Sequence, residues 1–388
     1  MTLEPVASLY EILGVDPKAK SQTLRNAYRR LARKYHPDIN PDPVAHERMA
    51  QINMAFETLN DPSRRMEYDA TLFGTPGITA AAVKAAEQTR DSVSVRLVQK
   101  LKDHRTPIYS LAFEPDTNQL LSSSFDNQIL WWGKDFQVRR SLRLEGGVVN
   151  VVHPIGDDKI VAAGCSESLV SVWQINSGEV ISWRNSPLEW ICCVGIAPDG
   201  SKVALGSIHS VVQVCRTPTG DVVFSGNNHD QSVTAVQWSP DGKLLATGSA
   251  DATVKIWSAV TGKLLHTFTA VRSTVTAMAF SPDSRILAVA AVDRSIRIFR
   301  LGDNDLIKTF FGHEKPIESV AFHPDGQLMA SVGRDGVVYL WNVLQGRGHG
   351  KIEASDQPLS TAAFSHTGNL FAVGGLDKVI RIYELNFK

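Results

Sequence analysis

Seven aromatic or equivalent residues recur at an almost constant spacing through the last three quarters of this 388-residue chain. They are Trp132, Trp173, Cys215, Trp257, Phe299, Trp341 and Tyr383, separated by 41, 42, 42, 42, 42 and 42 residues. A fixed period of this length indicates that one supersecondary unit is repeated, and that no unit buries its apolar face alone. The repeat therefore decides the architecture of most of the chain.

Other residues keep the same register within each unit. The position six residues before the aromatic is occupied by Asp126, Glu167, His209, Asp251, Asp293, Asp335 and Asp377. Twenty-eight residues before the aromatic, three units carry His104, His229 and His313. Turns such as Pro240-Asp241-Gly242 separate short runs rich in β-branched residues, for example Val233–Trp238 and residues 254–257. These runs predict short strands joined by hairpins, so each unit is expected to be a small antiparallel sheet.

The repeated units resemble the WD-repeat family over residues 93–388. That resemblance implies an all-β propeller, with four strands in each blade and seven blades. In the family, the His, the Asp and the terminal Trp belong to a buried hydrogen-bonded set with a strand Ser or Thr. The matching positions imply a structural network made of His104, Asp126, Trp132, His229, Asp251, Trp257, His313, Asp335 and Trp341.

A ring of seven units closes only if its two ends meet, because an open edge leaves backbone groups unpaired. The last repeat contains only three strand-like runs, since the sequence stops five residues after Tyr383. The alternating segment 93–101 has the length and pattern of a strand. We therefore expect this segment to pair with the final blade and seal the propeller.

The first 73 residues have a different character, because their apolar residues recur at helical spacing. Leu24, Tyr28, Leu31, Ala32 and Tyr35 predict an amphipathic helix over residues 21–35, and a second stripe over 52–59 predicts another. Between the stripes lies His36-Pro37-Asp38, where Pro cannot continue a helix, so a loop between two antiparallel helices is expected. Asp61-Pro62 then predicts the start of a short third helix that ends at Tyr68.

The same region resembles the J domain of the DnaJ co-chaperones. The resemblance begins at residues 9–15, continues through residues 27–32 and His36-Pro37-Asp38, and ends with residues 59–62 and Tyr68-Asp69. It implies an all-α J domain over residues 7–73 that engages a DnaK-class chaperone and stimulates its ATP hydrolysis. The implied chaperone-binding residues are Arg25, Tyr28, Arg29, Arg30, Arg33, His36, Pro37 and Asp38. In this set, His36 and Asp38 would trigger the partner, and Pro37 would hold the loop rigid.

The residues of the predicted first long helix support that implication independently. Residues 21–35 contain Arg25, Arg29, Arg30, Arg33 and Lys34 and no acidic residue. A surface that carries only positive charge favours an acidic partner and speeds the encounter with it. The alternative is that these cations merely form the water-exposed side of a helix. The adjacent His36-Pro37-Asp38 favours the functional interpretation.

Between the two modules, residues 74–92 are expected to be a linker. Gly74, Pro76 and Gly77 predict a break, and the alanines that follow favour a short helix before the first strand. The chain lacks the Gly/Phe-rich stretch and the Cys-x-x-Cys pairs of full-length DnaJ proteins. It therefore resembles divergent J proteins, in which another domain supplies targeting.

Composition predicts a protein of the cytoplasm. The 40 basic and 40 acidic residues balance, which argues against nucleic acid or an anionic membrane as the main partner. No apolar run approaches 20 residues, and Glu4 and Pro5 interrupt any signal sequence. The cysteines Cys165, Cys192, Cys193 and Cys215 fit neither a zinc site nor a disulfide framework, so buried free thiols are expected. No cofactor is expected either.

One face of the propeller is the predicted site for a partner. In the resembled family, partners often bind beside the tight-turn Asp residues, and here the preceding positions are mainly apolar. The candidate partner-binding residues are Phe125, Ile208, Arg334 and Leu376, with Trp190 as a further aromatic anchor. The alternative is that Phe125 and Ile208 pack between blades. The third repeat lacks the His, Asp and Trp marks, which fits either specialisation or drift.

Two functions follow from these patterns. In the first, the chain is a co-chaperone adaptor whose propeller recruits a client protein or complex to a DnaK-class chaperone. In the second, it is a non-enzymatic scaffold whose J domain does not stimulate a chaperone. An enzyme is not expected, because the sequence shows no nucleophile turn, metal-ligand cluster or phosphate-binding loop.

Overall fold

The computed structural model describes residues 8–17, 19–35, 43–60, 65, 68, 93–144, 148–156, 159–166, 169–176, 179–185, 188, 190–227 and 229–387. Across this described part, the backbone forms three helices followed by 28 strands. The fold class predicted from the sequence, an all-α J domain and an all-β seven-bladed propeller, is confirmed. The predicted linker, residues 74–92, lies outside the described residues.

The helices are α1 (Leu9–Leu13), α2 (Ser21–Tyr35) and α3 (Pro43–Asn60). Ser8 and Glu11 form a capping box at the start of α1, and Gly14 ends it with φ 63°, a left-handed conformation that glycine adopts without strain. Leu13, Leu24 and Ile52 are fully buried where the three helices meet. The helical module therefore has an apolar core of its own. Of the predicted third helix, only Arg65 and Tyr68 are described, and both have helical backbone.

The strands form seven antiparallel sheets of four, which are the blades. The first to third blades contain β2 (Ile108–Phe113), β3 (Leu120–Ser124), β4 (Gln128–Trp132), β5 (Val138–Arg143), β6 (Val151–Gly156), β7 (Lys159–Ser166), β8 (Leu169–Asn176), β9 (Glu179–Asn185), β10 (Ile191–Ile196), β11 (Lys202–Ser207), β12 (Val211–Arg216) and β13 (Val222–Asn227). The fourth to sixth contain β14 (Val233–Trp238), β15 (Leu244–Ser249), β16 (Val254–Ser258), β17 (Leu264–Phe268), β18 (Val275–Phe280), β19 (Ile286–Ala291), β20 (Ser295–Arg300), β21 (Asp305–Phe311), β22 (Ile317–Phe322), β23 (Leu328–Gly333), β24 (Val337–Asn342) and β25 (Arg347–Glu353). The seventh contains β26 (Leu359–Phe364), β27 (Leu370–Gly375), β28 (Ile380–Phe387) and β1 (Val93–Leu101).

The seventh blade joins the two ends of the propeller. β1 runs antiparallel to β28, in a register that pairs Val93 with Phe387 and Leu101 with Ile380. Val93 and Val95 are buried in a core cluster with residues of the sixth and seventh blades. Because the first strand of the propeller completes the last sheet, the ring is closed by backbone hydrogen bonds and by apolar packing.

The residues that mark the 42-residue period all lie in the third strand of a blade. Trp132, Trp173, Cys215, Trp257, Phe299, Trp341 and Tyr383 are each at most 3% exposed. Close packing between blades also restricts the neighbouring glycines. A Cβ on Gly248 would lie 2.4 Å from Val275 of the next blade, so only glycine fits there. The period therefore records how the blades pack against one another.

Candidate functional site

The basic residues of α2 form an exposed face of the J domain. Arg25, Arg29, Arg30, Arg33 and Lys34 are all exposed, and α2 contains no acidic residue. Arg33 and Lys34 lie in the last turn, where positive charge complements the helix dipole. An acidic partner would therefore meet a positively charged surface on α2.

Packing between α2 and α3 determines how this face is oriented. The Tyr28 ring stacks on the Phe56 ring with centroids 4.2 Å apart, and its hydroxyl donates to Asn53 Oδ1 over 3.0 Å. Arg25 Nε donates to Asn60 Oδ1 over 3.2 Å. Tyr28, a predicted contact residue, is therefore half-buried between the helices, and it orients α2.

The remaining predicted chaperone-binding residues, His36, Pro37 and Asp38, lie outside the described residues. In the sequence they follow α2 directly, since that helix ends at Tyr35. Their role therefore stays a prediction.

In the fourth blade, the repeated His, Asp and Trp are joined in one buried chain of hydrogen bonds. Trp257 Nε1 donates to Thr247 Oγ1 over 2.9 Å, and Thr247 Oγ1 lies 2.9 Å from His229 Nε2. His229 Nδ1 lies 2.9 Å from Asp251 Oδ2. The sixth blade repeats this chain through Trp341, Ser331, His313 and Asp335, at distances of 2.7–2.8 Å.

The protonation state of His229 follows from its partners. Burial lowers the pKa of His229, which favours the neutral ring. Burial alone would raise the pKa of Asp251, but hydrogen bonds, first from Thr253 and then from the Asp230 amide and His229, lower it to about 2. An ionised carboxylate only accepts, so His229 Nδ1 carries the proton and Nε2 accepts from Thr247. Each buried polar group in the chain is then satisfied.

The first blade has a looser version of the network. Trp132 Nε1 donates to Ser122 Oγ over 2.8 Å, and His104 Nε2 lies 2.7 Å from the same oxygen. His104 Nδ1 is 3.6 Å from Asp126 Oδ2, beyond hydrogen-bond distance. In the first blade, His104 is therefore hydrogen-bonded through Nε2 but not through Nδ1.

The fifth and seventh blades replace the histidine network with a buried ion pair. Arg297 Nη2 lies 2.6 Å from Asp293 Oδ2, and Arg381 Nη2 lies 2.6 Å from Asp377 Oδ2. The two arginine side chains are only 6% and 8% exposed. Neither arginine was among the network residues predicted from the sequence. Their signal is an Arg four residues after the Asp, in the two blades whose aromatic is Phe299 or Tyr383.

The predicted partner-binding residues lie together at one end of the blades. Phe125, Ile208, Arg334 and Leu376 each begin the turn between the second and third strands of a blade, so they share one face of the propeller. We call this surface, with Trp190, the turn face. Phe125 is 54% exposed, Ile208 41% and Leu376 45%, and Arg334 is also exposed. Phe125 and Ile208 are therefore available at the surface, and the alternative of burial between blades is wrong.

Trp190 belongs to the turn face through its backbone. Its carbonyl accepts a 2.9 Å hydrogen bond from the Ile208 amide. Its φ is 55°, a left-handed conformation that is costly for a bulky residue. The indole is nevertheless 46% exposed. Val292, at the equivalent turn of the fifth blade, is 45% exposed and extends the apolar character of the turn face.

Other site types find no support among the described residues. No group of three or more His, Cys, Asp or Glu side chains there is placed to hold a metal ion. None of the described helices is long and apolar enough to cross a membrane.

The prediction of buried free thiols is correct for Cys215 but wrong for Cys192, which is exposed next to Trp190. The reason is that Cys192 lies where the register of β10 shifts against β11.

Comparison with known proteins identifies both modules. Residues 8–69 match the DnaJ domain family, residues 95–133 match the WD domain, G-beta repeat, and residues 209–388 match the IFT122 first beta-propeller. The match of residues 95–133 covers most of β1 and the first three strands of the first blade. The match of residues 209–388 covers the last two strands of the third blade, all of the fourth to sixth blades, and β26, β27 and β28 of the seventh. The chain thus carries a J domain followed by a WD-repeat propeller, and the resemblance recognised in the sequence is confirmed.

Similar curated proteins include DnaJ chaperones, whose matches have about the length of the J domain. The chaperone protein DnaJ of Trichormus variabilis is 51% identical over 74 residues, which is 19% of each chain. Those of Thermosynechococcus vestitus and Dictyoglomus thermophilum are 53% identical over 70 residues and 55% over 60. The match with the Thermosynechococcus protein covers 18% of this chain and 18% of that relative. The match with the Dictyoglomus protein covers 16% of this chain and 15% of that relative. This chain therefore spans less than a fifth of the length of the curated relatives it matches.

Proposed function

We propose that this chain is a co-chaperone adaptor, in which the J domain binds a DnaK-class chaperone and stimulates its ATPase while the propeller recruits a client protein or complex. Both modules are non-catalytic types, so the chemistry belongs to the partner, and we propose that the chain itself is not an enzyme and holds no cofactor. The observation that carries the proposal is the exposed basic face of α2, which directly precedes His36-Pro37-Asp38 in the sequence.

The basic face suits a chaperone partner for a physical reason. Its exposed cations lie on one helix, and that helix is held in place by the stacking of Tyr28 on Phe56. A preformed surface of one sign raises the rate of encounter with an acidic surface, and the gain falls as salt is added. Since the partner hydrolyses ATP, the encounter belongs in a compartment that supplies ATP, and we propose the cytoplasm.

The turn face suits the recruitment of a protein client. It combines exposed aromatic and aliphatic side chains, Phe125, Trp190, Ile208 and Leu376, with the exposed Arg334. Aromatic residues and arginine are enriched among the residues that dominate protein interfaces. Exposed apolar patches on a folded domain commonly mark interaction sites. With zero net formal charge and an apolar turn face, we propose a protein partner rather than nucleic acid or membrane.

Single-turnover ATP hydrolysis tests the chaperone half of the proposal. A DnaK-class chaperone loaded with ATP is mixed with the full-length chain, with a His36→Gln variant, or with a His209→Gln variant. His209 is exposed on the propeller, so its substitution controls for the chemical change. We expect stimulation by the wild type and by His209→Gln. We expect His36→Gln to reduce it by about tenfold or more, a loss of ~1.4 kcal/mol of transition-state stabilisation.

Absence of stimulation by the folded wild type would refute the co-chaperone function for that chaperone. The scaffold function, in which the J domain only binds, would then be favoured. Equal stimulation by the wild type and His36→Gln would show that the ATPase effect does not pass through the predicted loop.

A further inference from the structure

The J domain contacts the propeller at the fifth blade. Glu57 Oε2 of α3 lies 3.2 Å from Arg272 Nη1, in the loop between β17 and β18. Phe311, the last residue of β21, packs against the apolar core of the J domain. Because β21 is the outermost strand of its blade, the helical module covers an edge that would otherwise be open.

A cavity of about 460 Å³ lies at this contact and is lined by both modules. The J domain contributes residues of α1 and α3 and Tyr68, including Leu9 and Met54, and the fifth blade contributes Arg297, Leu306 and Lys308. Lys308 donates to the carbonyl oxygens of Val343 and Leu344, and burial lowers its pKa to about 8. The mixed, incompletely filled contact has the character of an interface between domains rather than of a common core.

The contact uses a different side of the J domain from the basic face. The lining residues come from α1, α3 and Tyr68, and none comes from the described side chains of α2. Arg25, Arg29, Arg30, Arg33 and Lys34 remain exposed in this arrangement. An acidic partner could therefore reach α2 while the J domain rests on the propeller.

The contact also lies beside the turn face. Arg272 is two residues before Thr274, whose carbonyl accepts a 2.9 Å hydrogen bond from the amide of Val292. Asp293, the tight-turn residue of the fifth blade, lines the cavity itself. The J domain thus sits at the rim of the face that we propose for the client.

We propose that the J domain docks on the fifth blade through α1 and α3, and that this docked arrangement is open, with α2 free to receive a chaperone beside a client on the turn face. The second part rests on the proposed co-chaperone function; the docking itself does not.

A weak contact is enough to hold the docked arrangement. The Glu57–Arg272 pair is 57% and 59% exposed, and exposed pairs add little. Because both modules belong to one chain, however, they meet at an effective concentration of about 1 mM. A contact with a dissociation constant near that value is therefore occupied about half of the time, and the packing of Phe311 increases its occupancy.

Crosslinking tests the docking without any chaperone. Cysteines are placed at positions 57 and 272 by Glu57→Cys and Arg272→Cys, in a full-length chain whose four native cysteines are replaced by serine or alanine. A short bis-maleimide is then added. The matched control pairs Arg29→Cys with Arg272→Cys, because Arg29 is also exposed but lies on α2. We expect the first pair to crosslink at least about tenfold faster; equal rates would overturn the docking.

A second measurement decides the docking if the cysteine-free chain does not fold. With the native cysteines in place, Phe311→Glu removes the apolar contact, and Leu265→Glu is its control on the outer strand of the fourth blade, where Leu265 is 56% exposed. We expect faster amide hydrogen exchange in α3 for Phe311→Glu only. Unchanged exchange in α3 in both variants would overturn the docking.

The crosslinked protein then tests whether the docked arrangement is open. We expect it to stimulate a DnaK-class ATPase within about twofold of the uncrosslinked protein, since α2 stays exposed. Lost stimulation in the crosslinked form alone would show that docking closes the site, and would overturn this part of the proposal. If neither form stimulates, the co-chaperone function fails and the open arrangement falls with it, while the crosslinking rates still decide the docking.

Discussion

At the scale of single residues, the blades are held by two different solutions to the same problem. In five of the seven blades the tight turn carries an Asp whose carboxylate lies close to the interior, and a buried carboxylate needs hydrogen-bond donors. In the fourth and sixth blades a histidine supplies the donor, and in the fifth and seventh blades an arginine does. In the two arginine blades, Val289 and Val373 occupy the strand position that a Ser or Thr holds in the histidine blades. The aromatic residue of these two blades is Phe or Tyr, which has no indole N–H, so no hydroxyl is needed there to accept a hydrogen bond from it.

The histidine network predicts that the propeller loses stability in mild acid. Burial lowers the pKa of His229, so the unfolded chain takes up a proton below about pH 6.5 more readily than the folded chain does. A proton bound preferentially by the unfolded state reduces the free energy of unfolding. Burial also lowers the pKa of His104 and the pKa of His153, so both add to this effect. We therefore expect urea unfolding to require less denaturant at pH 5.5 than at pH 7.5.

A variant isolates the contribution of His229 to this acid effect. At pH 7.5 we expect His229→Gln to lower the free energy of unfolding by about 1–3 kcal/mol, because it disrupts a buried hydrogen-bonded chain. The difference from wild type should shrink at pH 5.5, since only the wild type then loses the contribution of a neutral His229. His209→Gln, at an exposed site, should show neither effect. A difference that grows as the pH falls would contradict the neutral assignment.

At the scale of secondary-structure elements, β1 is the element on which closure of the ring depends. It is 9 residues long, and its pairing partner β28 is the last strand of the propeller. Val95 is 3% exposed and lies in the core cluster of the seventh blade, whereas Val98, three residues on, is 36% exposed. Val98 falls where the register shifts between Leu97 and Gln99, so it has no direct partner on β28.

The two valines of β1 provide a matched test of closure. We expect Val95→Asp to lower the free energy of unfolding by about 3–5 kcal/mol, because it places an unpaired charge in the core. Val98→Asp should change it by less than about 1 kcal/mol, because its side chain meets water. Chemical unfolding followed by tryptophan fluorescence measures both. Equal effects of the two substitutions would show that β1 does not carry the closure of the ring.

At the scale of the whole molecule, two surfaces with different chemistry are presented by one chain. The basic face of α2 suits an acidic protein surface, and the turn face of the propeller suits an apolar one. A tether between two binding modules raises the effective concentration of one partner near the other. A client on the turn face would therefore be held close to a chaperone on α2 without any conformational signal between the modules.

Binding to an array of apolar peptides tests the turn face. We expect Phe125→Asp to reduce binding of full-length protein by about tenfold, since loss of an aromatic anchor costs ~1–2 kcal/mol. Val260→Asp is the control. Val260 is 77% exposed, but it lies in the turn between β16 and β17, at the opposite end of the strands from the turn face. Equal losses in both variants, or no peptide bound by the wild type, would refute the turn face as a client site.

The sequence by itself determined the features that follow from local periodicity. The bounds of α2, Ser21–Tyr35, follow from apolar spacing and from the Pro two residues after its end. The strand Val233–Trp238 and the seven blades follow from a period that the chain repeats. The J domain and the WD repeats could be recognised because their marks occupy fixed positions along the chain, and the family comparisons confirm both.

Tertiary structure alone decided the features that depend on residues distant in sequence. Whether Phe125 and Ile208 are buried or exposed depends on how the blades pack around the ring. The local sequence pattern around these two residues is the same in either case. The contact of Glu57 with Arg272 joins residues 215 positions apart, and no period of the sequence carries that information, because the contact depends on the shape of two folded surfaces.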